Sequence, residues 1–332
     1  MGYWWPLLVA ASALGTWLAL RYARARSLLD APGERRSHAV PTPRGGGVAM
    51  MVVLVATGAI MASSQASLTA FWIAFSLGLL LVGGIGWWDD HRPLSAWLRL
   101  AVHLLAGGVL SVGVLLAGGG WIAAVACGLL AVILVNVWNF MDGINGIATT
   151  QFVLVAGAAW LLWGEGVAPL ALACVASGLG FLPFNFPRAR IFLGDVGSGG
   201  MGFALAALYG LAVLVGNAAP EAGLVPVSAF VVDAGLTLGR RIWRGEAWWT
   251  AHVQHTYQVW ARELRQHWPV TLGFATWTVA GAASVAWLDS ATPSFMGAFA
   301  VAWYTSGALL WWFLQNRYAL RRLPHAVDSR DG

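Results

Sequence analysis

The sequence predicts an all-α, polytopic membrane protein with about eleven transmembrane helices, its N-terminus outside the cell and its C-terminus inside. Of its 332 residues, 59% are hydrophobic and only 10% are charged. A soluble domain usually carries about 25% charged residues. Apolar runs of about 20 residues, the length that a helix needs to cross a bilayer, recur along the whole chain. The 21 tryptophans suit the aromatic belts of membrane interfaces.

The predicted spans follow one another with only short connections, so we expect a single integral membrane domain over residues 1–332. Several spans are rich in Gly and Ala, as closely packed membrane helices tend to be. The first span has no basic segment before it and is interpreted as retained, not as a cleaved signal peptide. Cys127 and Cys174 lie in apolar runs and are expected to be buried, unpaired residues. The spans are expected at about 4–21, 45–62, 69–88, 97–116, 120–138, 149–164, 167–184, 199–216, 222–239, 269–288 and 294–315.

The basic residues predict the orientation. The chain has no lysine, and with eleven spans all 19 arginines fall on one side of the bilayer. The opposite loops carry only Glu165, Glu221 and Asp289. Positive loops face the cytoplasm, so the arginine side is predicted to be cytoplasmic. We interpret the net charge of +5 as a result of the membrane topology and of contact with anionic lipid, and expect no nucleic-acid partner. The predicted cytoplasmic loops are about 22–44, 89–96, 139–148, 185–198 and 240–268.

Four polar clusters interrupt the apolar sequence, and all four fall on the arginine side. They are Asp89-Asp90, the segment 139–146, the segment 192–198, and His252 with His255. Acidic side chains and irregular backbone at this depth are costly unless they line a site. The pattern therefore indicates an active site at one face of the membrane.

The first two clusters offer carboxylates and amides. Asp89 and Asp90 end the third span, where adjacent carboxylates can hold a hard cation or position a nucleophile. A solvated helix-end pair beside arginines is the alternative. Asn139, Asp142 and Asn145 recur at intervals of three residues around a Gly-containing turn, and such groups can read a base edge or sugar hydroxyls. A plain helix-ending turn would explain the glycines of this segment but not its amides.

The third cluster is a Gly-rich loop that runs into the eighth span. Asn185 and Phe192 precede Asp195, and a loop of this kind at a helix N-terminus is a plausible phosphate cradle. Asp195 is a natural Mg²⁺ ligand, because Mg²⁺ takes one or two carboxylates together with phosphate oxygens. In the alternative interpretation Asp195 only caps the helix.

The fourth cluster follows the ninth span. His252 and His255 are three residues apart, but no third ligand is spaced for zinc, so contact with phosphate or sugar fits better. The following segment, 257–268, is predicted to be an interfacial amphipathic helix. Asp233 lies within the ninth span; it is either functional or paired with Arg240 at the end of that span.

These motifs resemble the polyprenyl-phosphate N-acetylhexosamine-1-phosphate transferases, of the glycosyltransferase family 4 type. The resemblance runs from Asp30 to Tyr257 and includes Ser37-His38 and the segment 41–47 with Arg44. Within the family the chain is most similar to the branch that initiates O-antigen and other surface polysaccharides, on the segments 89–92 and 252–258. The peptidoglycan branch usually has a lysine soon after the aspartate pair and adjacent histidines, and this chain has neither.

The resemblance implies that a polyprenyl phosphate attacks the β-phosphate of a UDP-N-acetylhexosamine and releases UMP, with Mg²⁺ as cofactor and Mn²⁺ as a substitute. It implies a bacterial cytoplasmic (inner) membrane protein with its active site on the cytoplasmic face, and it leaves a homodimer open. Asp195 would bind Mg²⁺ with help from Asp90, and Asp89 would orient or deprotonate the lipid phosphate. Three further groups would offset negative charge: Arg44, His252 and His255. Phe192 would stack on uracil, and the groups expected to contact uridine or sugar are Asn139, Asp142, Asn145 and Asn185.

Three other classes of protein compete with this interpretation. A peptidoglycan-type phospho-N-acetylmuramoyl-pentapeptide transferase differs only in the sugar. A secondary transporter would place its coupling residues near the bilayer midplane, whereas nearly all the acids here lie at one interface. A structural membrane protein would not need this clustering. The identity of the sugar, the pathway, the polyprenyl length, the oligomeric state and the choice between one-step and covalent two-step transfer stay open.

Overall fold

The computed structural model describes residues 4–30, 40–216, 220–247, 249–250, 252–288 and 293–320. Within these ranges the chain forms twelve α-helices and two short strands. The helices are α1 (Trp5–Ala25), α2 (Val48–Ser64), α3 (Thr69–His91), α4 (Ala96–Leu116), α5 (Trp121–Met141), α6 (Ile147–Trp163), α7 (Ala168–Asn185), α8 (Asp195–Leu214), α9 (Pro220–Trp243), α10 (Thr256–Leu264), α11 (Trp268–Trp287) and α12 (Pro293–Leu320).

Each of the eleven predicted spans corresponds to one helix, and α10 is the predicted amphipathic helix. Nine of the helices in the described ranges are long and apolar enough to cross a membrane. The other two candidates, α2 and α6, are apolar but have only 17 residues each. The polytopic helical fold is thus confirmed, whereas the count of eleven and the orientation stay predictions. Cys127 and Cys174 are buried and unpaired, as expected.

A two-stranded antiparallel sheet lies in the loop predicted at about 22–44. Strand β1 (Leu29–Asp30) pairs with β2 (Thr42–Pro43) and brings the two ends of this loop together. The motif residues Ser37 and His38 lie outside the described residues. The pairing fixes the position of the chain just before Arg44 and the start of α2.

Helix α8 is buried over nearly its whole length and packs against α3 and α5. It is rich in Gly and Ala, and small residues allow membrane helices to approach closely. The backbones of α3 and α8 approach closely at Gly86, where an added Cβ would lie 2.5 Å from the carbonyl oxygen of Asp195. This contact sets the end of α3 directly beside the start of α8, where two of the predicted polar clusters meet.

Helix α8 begins at Asp195, four residues before the predicted span. The reason is a contact that is distant in sequence. The Asp90 carboxylate accepts hydrogen bonds from the backbone N–H groups of Asp195 (3.1 Å) and Val196 (3.3 Å). The first N–H groups of a helix have no partner within the helix, so the end of α3 caps α8 and extends it.

Candidate active site

A polar cavity of about 280 Å³ lies where α3, α5 and α7 end and α8 begins. Eight of the eleven predicted site residues line it, although they come from five separate segments of the chain. These eight are Arg44, Asp90, Asn139, Asp142, Asn145, Asn185, Phe192 and Asp195. Sequence reasoning missed three polar side chains in the same lining: Asp30, Gln258 and His267.

The loop that carries Phe192 is held to the segment before α2. The backbone N–H of Phe192 donates to the carbonyl of Pro43 (2.7 Å), and Gly46 N–H donates back to the carbonyl of Phe192 (3.0 Å). Gly47 N–H donates to the carbonyl of Leu193 at 2.9 Å. This exchange of backbone hydrogen bonds places Arg44 and Phe192 on the same part of the cavity wall.

Gly194 connects this loop to α8 and has φ +78°, a conformation that favours glycine. The Asp90 carboxylate occupies the space where a Cβ on Gly194 would lie. Asp90 and the start of α8 therefore fit together only because residue 194 has no side chain. The Gly-rich loop that was predicted to bind phosphate thus also accommodates the Asp90 carboxylate.

Arg99 bridges the carboxylates of Asp89 and Asp195. Its Nη1 donates to Asp195 Oδ2 (2.8 Å) and to Asp89 Oδ2 (3.1 Å). Asp89 Oδ1 also accepts a hydrogen bond from Leu94 N–H (2.6 Å), which fixes this carboxylate at the start of the α3–α4 turn. In the sequence, Arg99 was only one of the arginines that predict the topology. Its position in the first turn of α4, next to the end of an antiparallel α3, could have indicated that it contacts the aspartates there.

Asp142 lies just beyond the end of α5. Burial raises the pKa of Asp142 to about 8, and the negative charges of Asp195 and Asp90 add to the shift. Carboxylates that crowd one small cavity in this way repel one another, and a bound cation would relieve that repulsion. The described residues include no group of three or more His, Cys, Asp or Glu side chains arranged as a metal site. Mg²⁺ fits this sparse donor set, because it commonly keeps several waters and binds through one or two carboxylates plus phosphates.

The predicted sugar-contacting amides Asn145 and Asn185 have protein partners. Asn185 is buried; its Oδ1 accepts from Gly146 N–H (2.7 Å) and its Nδ2 donates to the carbonyl of Ile191 (3.0 Å). Asn145 Nδ2 donates to the carbonyl of Pro187 at 3.1 Å. The geometry therefore favours a role in which these two side chains hold the loops around the cavity together, and does not favour contact with substrate.

The structure does not bring His252 and His255 into the lining of the polar cavity. The buried His255 ring lies against Phe140, with ring centroids 6.3 Å apart, and 4.8 Å from the His252 ring. Burial lowers the pKa of His252 to about 4, and the neighbouring His255 and Arg241 side chains add to the shift. The expected role of His252 and His255 in offsetting phosphate charge therefore stays a prediction, because neither ring lies in the cavity lining.

Asp233 is buried in α9 and caps α10. Its carboxylate accepts from the N–H groups of Thr256 (2.8 Å) and Tyr257 (3.0 Å). Arg240, the partner considered for it in the sequence, instead donates to Gln315 Oε1 at 3.2 Å. The acidic residue within the ninth span thus holds the amphipathic helix that follows it.

An apolar groove of about 370 Å³ adjoins the polar cavity and shares Asn139 and Asp195 with it. Its walls come from α3, α4, α5 and α9, and include Ile85, Leu100, Val132, Val135, Val231 and Leu238. Arg99 lines the groove at the same end as Asp195. A charged site and an apolar surface therefore meet at Asn139 and Asp195.

Comparison with known proteins gives a consistent result. Residues 72–213 match the family model described as glycosyl transferase family 4. A decaprenyl-phosphate N-acetylglucosaminephosphotransferase of Mycobacterium tuberculosis is 34% identical over 235 residues, which are 61% of this chain and 55% of that protein. A probable undecaprenyl-phosphate N-acetylglucosaminyl 1-phosphate transferase of Bacillus subtilis is 30% identical over 54% of both chains.

A third relative aligns over more of its length. The phospho-N-acetylmuramoyl-pentapeptide-transferase of Deinococcus radiodurans is 29% identical over 291 residues, which are 76% of this chain and 86% of that protein. By contrast, the chain spans only about half the length of the mycobacterial and Bacillus relatives that it matches. The matched residues run from the first turn of α3 to the last turn of α8 and include most of the polar cavity.

Proposed function

The chain belongs to glycosyl transferase family 4, and on that premise we propose that it transfers an N-acetylhexosamine 1-phosphate from a UDP-sugar to a polyprenyl phosphate, releasing UMP. The observation that carries the proposal is the junction of the polar cavity with the apolar groove at Asn139 and Asp195. A polyprenyl phosphate has an ionic head and a long apolar tail, so it needs both environments at once. A soluble phosphate substrate would need only the first.

The charged groups at the junction suit two phosphorylated reactants. Arg44 lines the polar cavity and Arg99 lines the adjoining groove, and both would contact phosphate oxygens. Asp195 and Asp90 would hold Mg²⁺, which neutralises charge on a diphosphate. Phosphoryl transfer depends mainly on such positioning and charge neutralisation.

Asp89 fits a positioning role better than that of a base. Its carboxylate is engaged by Arg99 and by the backbone N–H of Leu94. A phosphate monoester has a second pKa of about 6 and is largely dianionic at neutral pH, so the acceptor needs little help in losing a proton. Asp89 would therefore hold Arg99 against the lipid head group.

For the sugar and the pathway we propose a UDP-N-acetylglucosamine donor and the initiation of a lipid-linked surface polysaccharide such as O-antigen. The choice of N-acetylglucosamine is supported by the names of the mycobacterial and Bacillus relatives. A peptidoglycan-type donor is the second candidate, because the Deinococcus relative aligns over 86% of its own length. The arginine-rich side of the chain supports catalysis at the cytoplasmic face of the inner membrane, the side on which soluble nucleotide sugars are present.

The test is UMP release by the purified protein with undecaprenyl phosphate. The donors are UDP-N-acetylglucosamine, other UDP-N-acetyl sugars and UDP-N-acetylmuramoyl-pentapeptide, each with and without Mg²⁺ or Mn²⁺. We expect release only when lipid, sugar nucleotide and metal are all present. If UDP-N-acetylmuramoyl-pentapeptide is the only donor that gives release, N-acetylglucosamine is not the sugar that this protein transfers. If folded protein releases no UMP with any donor, the transferase proposal fails and a transporter becomes the leading interpretation.

Replacing Arg99 by Gln is expected to lower UMP release by about 100-fold, a loss typical for a charge-stabilising group in an active site. Gln cannot bridge Asp89 and Asp195 or attract phosphate, whereas Arg99→Lys keeps the charge and should recover part of the activity. Arg317→Gln removes an equal charge from an exposed position in the last turn of α12, outside the lining of the cavity and of the groove, and serves as control. Equal rates for Arg99→Gln and Arg317→Gln would exclude Arg99 from the site.

A further inference from the structure

The Asp233 carboxylate makes contacts that organise the segment after α9. Besides the backbone N–H groups of Thr256 and Tyr257, it accepts a hydrogen bond from Thr237 Oγ1 (3.2 Å), and His255 Nδ1 lies 3.8 Å from its Oδ1. Asp233 and His255 are both buried. Four groups from two helices thus converge on one carboxylate.

Such a buried acid is costly within a membrane helix, so its position calls for a physical reason. Hydrogen bonds to an ionised carboxylate are about twice as strong as those between neutral groups. The N-terminus of a helix also favours negative charge. Helix α10 has only nine residues, and a helix this short is marginal by itself. The Asp233 carboxylate holds the two backbone N–H groups at the start of this short helix.

The first turn of α10 contacts the polar cavity through Gln258 and the end of α5 through Tyr257. Tyr257 is buried, and its hydroxyl donates to the carbonyl of Phe140 (3.0 Å), between Asn139 and Asp142. Gln258 lines the polar cavity itself, and its Oε1 accepts from His255 N–H (3.3 Å). A shift of α10 would consequently move both the cavity wall and the turn that follows α5.

We infer that Asp233 is a positioning residue for the site: by capping α10 it sets Tyr257 and Gln258 against the segment that carries Asn139 and Asp142. This inference rests on the proposed transferase function for its kinetic readout. In this role Asp233 fixes the position of α10 next to the cavity and does not contact substrate.

The test compares Asp233→Asn with Ser228→Ala, a control in the same helix. Ser228 is buried, and its Oγ accepts hydrogen bonds from Trp277 and Trp303 (3.0 Å each), so its loss also costs buried hydrogen bonds but leaves α10 alone. We expect kcat for UMP release to fall about 10- to 100-fold in Asp233→Asn, as for a small misplacement of catalytic groups. Ser228→Ala should keep the parental kcat even where its Tm is lower.

Hydrogen exchange supplies a readout that needs no turnover. The amides of Thr256 and Tyr257 should exchange faster in Asp233→Asn than in the parent and in Ser228→Ala. Parental exchange in Asp233→Asn would overturn the inference. If the parent protein releases no UMP, the proposed function fails, and faster exchange then still supports the anchoring of α10 by Asp233.

A double-mutant cycle separates positioning from general destabilisation. Tyr257→Phe removes the hydroxyl that bonds to the carbonyl of Phe140. If Asp233 acts through the first turn of α10, its substitution should cost much less kcat in the Tyr257→Phe background than in the parent, because residues in one network are not additive. Additive losses in kcat, or an Asp233→Asn protein as active as Ser228→Ala, would overturn the inference.

Discussion

Asp195→Asn should lower UMP release by about 100- to 1,000-fold, the range seen when one preorganised charge-stabilising group is removed. Asp195 lines both the polar cavity and the apolar groove, and its carboxylate holds Arg99 at 2.8 Å. A neutral amide is a poorer Mg²⁺ ligand and cannot form that ion pair. The backbone N–H of residue 195, which Asp90 holds, is unchanged, so α8 should still begin in the same place.

The preserved cap makes this substitution a test of charge with little effect on folding. Glu165→Gln is the matched control, because Glu165 is an exposed acid in the loop between α6 and α7, remote from the cavity. Both variants should elute as monodisperse protein with Tm values near that of the parent. Near-parental turnover in folded Asp195→Asn would remove this carboxylate from the proposed metal site.

Local sequence was enough to predict where the site residues come from. Asp89-Asp90, Asn139 and Asp195 stand out because charged and amide groups are costly in apolar segments unless they serve a purpose. The spans follow from hydropathy, and the arginines favour one side for all four clusters. Helix ends on the same side of a bundle then had to meet. The polar cavity is the result of that constraint, and eight of the predicted residues line it.

Contacts between helices that are distant in sequence could not be predicted in this way. That Asp90 caps α8, 105 residues later, depends on how closely α3 and α8 pack. The bridge from Arg99 to Asp195 depends on the same packing, and so does the position of His255 behind Phe140. A pattern of polar residues gives the side of the membrane, whereas these contacts depend on rotation and separation of helices.

Gly86→Ala should abolish most of the activity and also lower stability, although it adds only one methyl group. An added Cβ would lie 2.5 Å from the Asp195 carbonyl oxygen and 2.6 Å from Val196 N, both backbone atoms that cannot move aside alone. Helices α3 and α8 would have to separate, which would pull the Asp90 carboxylate from the start of α8. Overpacking of this kind costs about 1–3 kcal/mol in well-packed cores.

Gly84→Ala is the control, because it makes the same chemical change in α3 at a position with nothing within 4 Å of the added Cβ. It should keep parental turnover and Tm, since Ala is a better helix former than Gly. The decisive comparison is UMP release per folded molecule, well below the Tm of each variant. A low rate there for Gly86→Ala alone would mean that the spacing of α3 and α8 sets the carboxylate geometry. Equal rates would mean that the catalytic groups tolerate this separation, and that Asp90 and Asp195 need not be held together by the glycine contact.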